Sequence, residues 1–69
     1  MKISTRNVLA GKVVEVNKGQ TTAHVRLDIG NGKIVTAAIA NQAVDDLGLK
    51  PDQAAYAVIK ASDVMVAID

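Results

Sequence analysis

The chain has 69 residues, a net charge of +1 and no cysteine. Disulfides and thiolate-bound zinc are therefore excluded, and a charge so near zero provides no electrostatic footprint for DNA or RNA. Hydrophobic residues make up 49% of the chain and Tyr56 is its one aromatic residue, so the core must be built from Val, Ile, Leu and Ala.

The first half of the chain alternates strand-forming segments with turns. Residues 8–16 predict a first strand, in which Gly11 indicates a bulge or the close approach of another backbone. After a turn, residues 21–29 alternate apolar and polar side chains, which is the period of a half-buried strand. The Gly-Asn-Gly sequence at residues 30–32 favours a hairpin turn, and residues 33–40 predict the third strand.

The spacing of the apolar residues changes after the third strand from that of a strand to that of a helix. Asn41 is expected to cap a short helix over residues 42–47, and Gly48 fits the position that ends it. Residues 54–59 predict a fourth strand and residues 64–68 a fifth. The pattern predicts an all-β fold, a small five-stranded OB-like β-barrel with one short helix at its end.

The size of the chain predicts self-association. We expect residues 1–69 to form a single domain, which would bury only about 60% of the surface of its unfolded chain. Such small domains commonly depend on disulfides, a structural metal or oligomerisation, and the composition leaves oligomerisation. No apolar run approaches the roughly 20 residues of a membrane span, and the first residues do not resemble a signal peptide. A cytoplasmic protein without a membrane partner is expected.

Two polar clusters flank the strands. The STRN cluster is residues 4–7, just before the first strand, and the KASD cluster is residues 60–63, between the last two strands. An anion site needs fixed donors on short side chains, backbone N–H groups at a turn and a cation, and both clusters contain such groups. Taken separately, each is better explained as a solvated surface segment.

Together the two clusters resemble the molbindins, small molybdate-binding proteins that are also called molybdenum-pterin-binding proteins. The family carries Ser-Xaa-Arg-Asn before a Gly-Lys-Val strand and a Lys-(Ala/Ser)-(Ser/Thr)-(Asp/Glu)-Val motif near its C-terminus. Residues 4–7 with 11–13, and residues 60–64, match these motifs. Residues 44–49 also resemble the family's helix and the segment that leaves it, so the resemblance covers essentially the whole chain.

The resemblance implies an OB-like barrel that dimerises and then forms a hexamer, a trimer of dimers, with oxyanions bound at subunit interfaces. Transferred by position, Ser4, Arg6, Lys60 and Ser62 would bind molybdate or tungstate, helped by the backbone of Ala61. Asn7 would position the loop. The role implied is intracellular molybdenum storage or homeostasis, with the oxyanion as ligand, no metal bound directly by side chains and no other cofactor.

One segment departs from the family. Relatives often carry hydroxyl side chains where this chain has Ala40 and Ala43. Only the backbone of residues 40–43 could then contribute to an anion site.

Two other functions are less favoured by the sequence. A nucleic-acid-binding barrel of cold-shock type would stack bases on exposed aromatic side chains and use a basic groove, which this composition does not favour. An enzyme would need a nucleophile–base pair, a metal cluster or a cofactor fingerprint, and the sequence shows none. Asp45 and Asp46 are adjacent on the predicted helix and do not face each other, and His24 lies on the polar face of a strand.

Overall fold

The computed structural model describes residues 3–69 and shows a curled antiparallel sheet of four strands with one short helix. The order of the strands in the sheet is β3-β2-β1-β4. The elements, in chain order, are β1 (Asn7–Lys18), β2 (Thr22–Gly30), β3 (Lys33–Ala40), α1 (Asn41–Leu47), β4 (Ala54–Ile59) and a 3₁₀ turn (Ala61–Asp63). The predicted all-β, OB-like fold is confirmed, and no helix of the described residues is long and apolar enough to cross a membrane.

The core lies on the concave face of the sheet. Ala23, Val25 and Leu27 are buried while His24 and Arg26 between them are exposed, as the alternation predicted. The other buried apolar side chains are Val13, Val44 and Ala57. The core is thus built from small and β-branched aliphatic side chains that α1 covers at one end.

Gly11 lies where two strands approach each other closely, which is one of the two possibilities that the sequence indicated. A Cβ at this residue would lie 2.6 Å from the backbone oxygen of Asp28 and 3.2 Å from a methyl carbon of Ile29. Just beyond it, the register of β1 against β2 shifts between Val13 and Glu15. A side chain at residue 11 would therefore hold the two strands apart.

The helix begins one residue earlier than predicted, and the predicted capping role of Asn41 is wrong. Ala40 is the N-cap residue and Asn41 is the first residue of α1. Its side-chain amide instead donates to the carbonyl oxygens of Gly19 and Gln20, at 3.0 and 3.2 Å, because the β1–β2 turn lies beside the start of the helix. Gly48 ends the helix in the left-handed conformation, with φ 63°, as predicted.

The fifth predicted strand does not form within the single chain. Residues 64–69 pair with no strand of the described sheet, and the side chains of Met65 and Ile68 are each 94% exposed. The β-branched composition of this segment favours a strand, but a strand needs a partner edge, and none of the described strands pairs with it.

Candidate anion-binding site

The antiparallel pairing of β1 with β4 brings the two polar clusters together. Its last pair is Asn7 opposite Ile59. The next residue outward on one strand is Arg6, and the next on the other is Lys60. Two segments more than 50 residues apart in sequence therefore meet at one end of the sheet.

A side-chain hydrogen bond fixes this meeting. The hydroxyl of Thr5 donates to the backbone oxygen of Ile59 at 2.6 Å and lies 3.4 Å from the amide nitrogen of Asn7. Thr5 is partly buried, so water competes less for this bond than at a fully exposed site. The bond holds the STRN cluster against the residue that immediately precedes the KASD cluster.

The KASD cluster is folded into a tight turn. The amide of Asp63 donates to the carbonyl of Lys60 at 2.9 Å, and the amide of Val64 donates to the carbonyl of Ala61 at 3.3 Å. Within the described part of the chain, the amides of Ala61 and Ser62 have no backbone acceptor, as is usual for the first residues of a helical turn. These two N–H groups are available to an external acceptor.

Two cations lie at the site without a carboxylate partner. The ion pairs among residues 3–69 join Lys18 to Asp45 and Arg26 to Glu15, both away from the clusters. Arg6 and Lys60 are exposed and take part in neither. A guanidinium, an ammonium and the hydroxyls of Ser4 and Ser62 are thus left to bind a ligand.

The structure brings all the predicted site residues to this end of the β1–β4 pair. Ser4, Arg6, Lys60, Ala61 and Ser62 are exposed, and Asn7 is half-buried. A single chain therefore presents these groups on an open surface, where water competes with any anion.

Two features of the site region were not predicted from the sequence. Thr5 was not singled out, because a hydroxyl two residues before a strand gives no sign of its acceptor until β4 is placed beside it. The backbone of residues 40–43, left in doubt by the sequence, lies at the junction of β3 and α1 rather than at the end of β1 and β4. There the amide of Asn41 already donates to the carbonyl of Thr21 at 2.8 Å.

Comparison with known proteins decides the family. Residues 3–66 match the model of the TOBE domain. Molybdenum-pterin-binding protein 3 of Clostridium pasteurianum is 50% identical over 66 residues, which cover 96% of this chain and 97% of that protein. The chain is a TOBE-domain protein of the molbindin family.

Solved structures agree with the molbindin assignment. The structure of a molybdate-binding protein from Sporomusa ovata superposes on this molbindin with a TM-score of 0.92 at 38% identity, covering 99% of this chain and all of that one. The cytoplasmic molybdate-binding protein ModG, solved with molybdate bound, gives a TM-score of 0.89 at 42% identity. The match covers 94% of this molbindin and 46% of the ModG chain.

Proposed function

We propose that this protein binds molybdate or tungstate at the site formed by the STRN and KASD clusters. The observation that carries the proposal is the pairing of Asn7 with Ile59, which brings the donors of both clusters to one place. The names of the similar proteins, which bind molybdate, support the same ligand class.

The chemistry of the ligand fits the groups available. Molybdate is a tetrahedral dianion that is deprotonated at neutral pH, so it accepts hydrogen bonds and donates none. Arg6 and Lys60 offset its charge, while Ser4, Ser62 and the amide of Ala61 supply further donors. Asn7 orients the loop from its half-buried position at the start of β1.

A complete site requires a second subunit. Most of the proposed donors are exposed in the single chain, and exposed charge pairs contribute little in water. Closing the site between two chains removes water and strengthens each charge-assisted bond. The proposed assembly is a dimer that builds a homohexamer, a trimer of dimers.

The size of the oxyanion determines the selectivity of the proposed site. Molybdate, tungstate and sulfate carry the same charge, so charge cannot separate them. Mo–O and W–O bonds are similar to each other and longer than S–O bonds, so a cavity of fixed size favours the first two. The proposed role is intracellular storage or homeostasis of molybdenum in the cytoplasm, by binding and not by catalysis.

Titration calorimetry with molybdate, tungstate and sulfate tests the proposal. We expect binding of the first two and much weaker binding of sulfate. Arg6→Ala and Lys60→Ala should each weaken molybdate binding at least about 10-fold, the loss of roughly one charge-assisted hydrogen bond. Lys50→Ala is the matched control. The substitution removes the same positive charge, but Lys50 lies before the start of β4, at the end away from Lys60. Equal affinity for all three anions, or unchanged affinity in both site variants, would refute the site.

A further inference from the structure

The turn between β2 and β3 consists of Asn31 and Gly32, which lie between the paired residues Gly30 and Lys33. Three consecutive residues have positive φ, 102° at Gly30, 55° at Asn31 and 73° at Gly32. Positive φ at both central residues is the pattern of a type I′ turn, which favours the Asn-Gly sequence because asparagine and glycine tolerate the left-handed region. The geometry of this hairpin therefore requires the dipeptide that stands there.

The reactive groups of this dipeptide are open to solvent. Asn31 and Gly32 are both exposed, and a Cβ at Gly30 or Gly32 would meet no atom within 4 Å. Among residues 3–69, neither the carboxamide of Asn31 nor the backbone N–H of Gly32 has a hydrogen-bond partner. The Asp28 carboxylate accepts a bond from the amide of Gly30 at 2.8 Å, so the end of β2 is held while the two central residues are free to move.

The dipeptide places a nucleophile beside an electrophile. The backbone nitrogen of Gly32 and the side-chain carbonyl carbon of Asn31 lie in one short stretch of chain, so a bond between them closes a succinimide ring. An intramolecular reaction of this kind needs no encounter between two molecules. Gly32 has no side chain that would shield its nitrogen.

We infer that Asn31 deamidates spontaneously in the folded protein. The nitrogen of Gly32 attacks the side-chain carbonyl carbon, the bond from that carbon to the side-chain nitrogen breaks, and ammonia leaves with the proton of the Gly32 amide. Water then opens the succinimide at either carbonyl and gives aspartate or isoaspartate. The reaction consumes only water and does not depend on the proposed oxyanion site.

The other three asparagines of the chain do not have this combination of features. Asn7 and Asn17 lie within β1, where pairing with β4 and β2 holds the backbone extended. Asn41 is half-buried, and its side-chain amide donates to two carbonyls of the β1–β2 turn. None of the three is followed by glycine. Modification is therefore expected at residue 31 alone.

The two products should differ in stability. Aspartate leaves the backbone intact and is accepted in type I′ turns, so it keeps the hairpin and adds one negative charge to a chain of net charge +1. A net charge near zero favours association and precipitation. Isoaspartate adds a backbone carbon to a two-residue turn that sets the register of the hairpin, in which Leu27 pairs with Val35. The isoaspartate form should therefore unfold at a lower urea concentration than Asn31→Asp.

Peptide mapping of the folded full chain tests the site. Trypsin cleaves after Lys and Arg and places the four asparagines in separate peptides, residues 7–12, 13–18, 27–33 and 34–60. After incubation at mildly alkaline pH, we expect peptide 27–33 to exchange the mass of an amide for that of an acid and to separate into two products. The other three should keep their amides. An unchanged peptide 27–33, under conditions that convert the synthetic peptide of the same sequence, or faster conversion of another peptide, would overturn the inference.

A matched pair of glycine variants separates local shielding from loss of stability. Gly32→Ala places a methyl group beside the attacking nitrogen and should slow deamidation at least about 10-fold, which corresponds to a barrier raised by about 1.4 kcal/mol. Gly48→Ala also places alanine at a left-handed position with no atom within 4 Å, but far from Asn31 in sequence, and should leave the rate unchanged. Equal rates in the two variants would contradict attack by the Gly32 nitrogen.

Discussion

The Thr5 hydroxyl donates to the backbone oxygen of Ile59 at 2.6 Å and so joins two segments 54 positions apart. Ile59 is followed directly by Lys60, and Thr5 lies between Ser4 and Arg6. This hydrogen bond therefore adds to the β1–β4 pairing in setting the spacing between the two halves of the proposed oxyanion site.

Removal of this hydroxyl should weaken oxyanion binding more than it destabilises the fold. In Thr5→Val the side chain keeps its shape but loses the donor, which costs about 1 kcal/mol and leaves the Ile59 oxygen to water. We expect molybdate affinity to fall about 5-fold and the preference for molybdate over sulfate to narrow, because the spacing between the clusters is no longer fixed. Titration calorimetry with both anions measures the two effects.

Two variants control for a general loss of stability. Thr5→Ser keeps the hydroxyl and should retain most of the affinity and the preference. Thr36→Val changes an exposed threonine on β3 and should alter neither. If Thr5→Val lowered affinity for both anions by the same factor, the residue would serve the fold alone.

Much of this fold was predictable because its strands follow local rules. The alternation from Ala23 to Leu27 identified the buried face of β2, and Gly48 ended the helix where a left-handed residue was expected. Both are decided by residues close in sequence. The composition of a segment and the periodicity of its apolar residues are sufficient for such predictions.

The rest depended on contacts between distant residues. Asn41 has the residue type of a helix cap, but two carbonyls of the β1–β2 turn take its amide donors. The composition of residues 64–68 favours a strand, but the predicted strand was wrong because no described strand pairs with this segment. The motifs of the STRN and KASD clusters indicated a family, and only the β1–β4 register showed that the two clusters meet within one chain.

Asn41 should contribute to stability by joining the helix to the β1–β2 turn. Its amide donates to Gly19 and Gln20, so Asn41→Ala leaves two carbonyls without this partner and should lower the free energy of unfolding by about 1–2 kcal/mol. Asn41→Asp should cost more at neutral pH, because a carboxylate would then face two carbonyl oxygens. Urea unfolding measures both variants.

The neighbouring Gln42 provides a control for Asn41. It is exposed on the same helix, and its amide contacts only Asp46, so Gln42→Ala should cost less than about 0.5 kcal/mol. A stability of Asn41→Asp equal to that of the unmodified chain would contradict the role assigned to the two turn carbonyls.

Gly11 should be intolerant of even a methyl group. A Cβ there would lie 2.6 Å from the Asp28 oxygen, which is backbone and cannot move without separating β1 from β2. We expect Gly11→Ala to lower the free energy of unfolding by about 1–3 kcal/mol, the range for overpacking in a close-packed structure. Thermal unfolding measures the change, with Ala10→Ser on the exposed side of the same strand as the control.

The ion pair between Lys18 and Asp45 should matter little to stability. Its atoms are 2.6 Å apart, but the two side chains are 43% and 59% exposed. Exposed pairs contribute between about 0 and 1 kcal/mol and are screened by salt. Lys18→Met should therefore lower the free energy of unfolding by less than about 1 kcal/mol, and urea unfolding at 1 M salt should show a smaller difference than at low salt. A loss that is independent of salt would indicate that packing of the lysine stem, and not charge, is responsible.

Anion binding and oligomerisation should be linked, since the proposed site is complete only between two chains. If the site is complete only between chains, molybdate stabilises the oligomer, and an anion at 100 times its dissociation constant adds about 2.7 kcal/mol. At protein concentrations below the dimer dissociation constant, molybdate should bind at least about 10-fold more weakly, although every proposed donor is intact. Calorimetry at several protein concentrations measures this linkage, and full affinity at concentrations where the chain is monomeric would show that one chain suffices for the site.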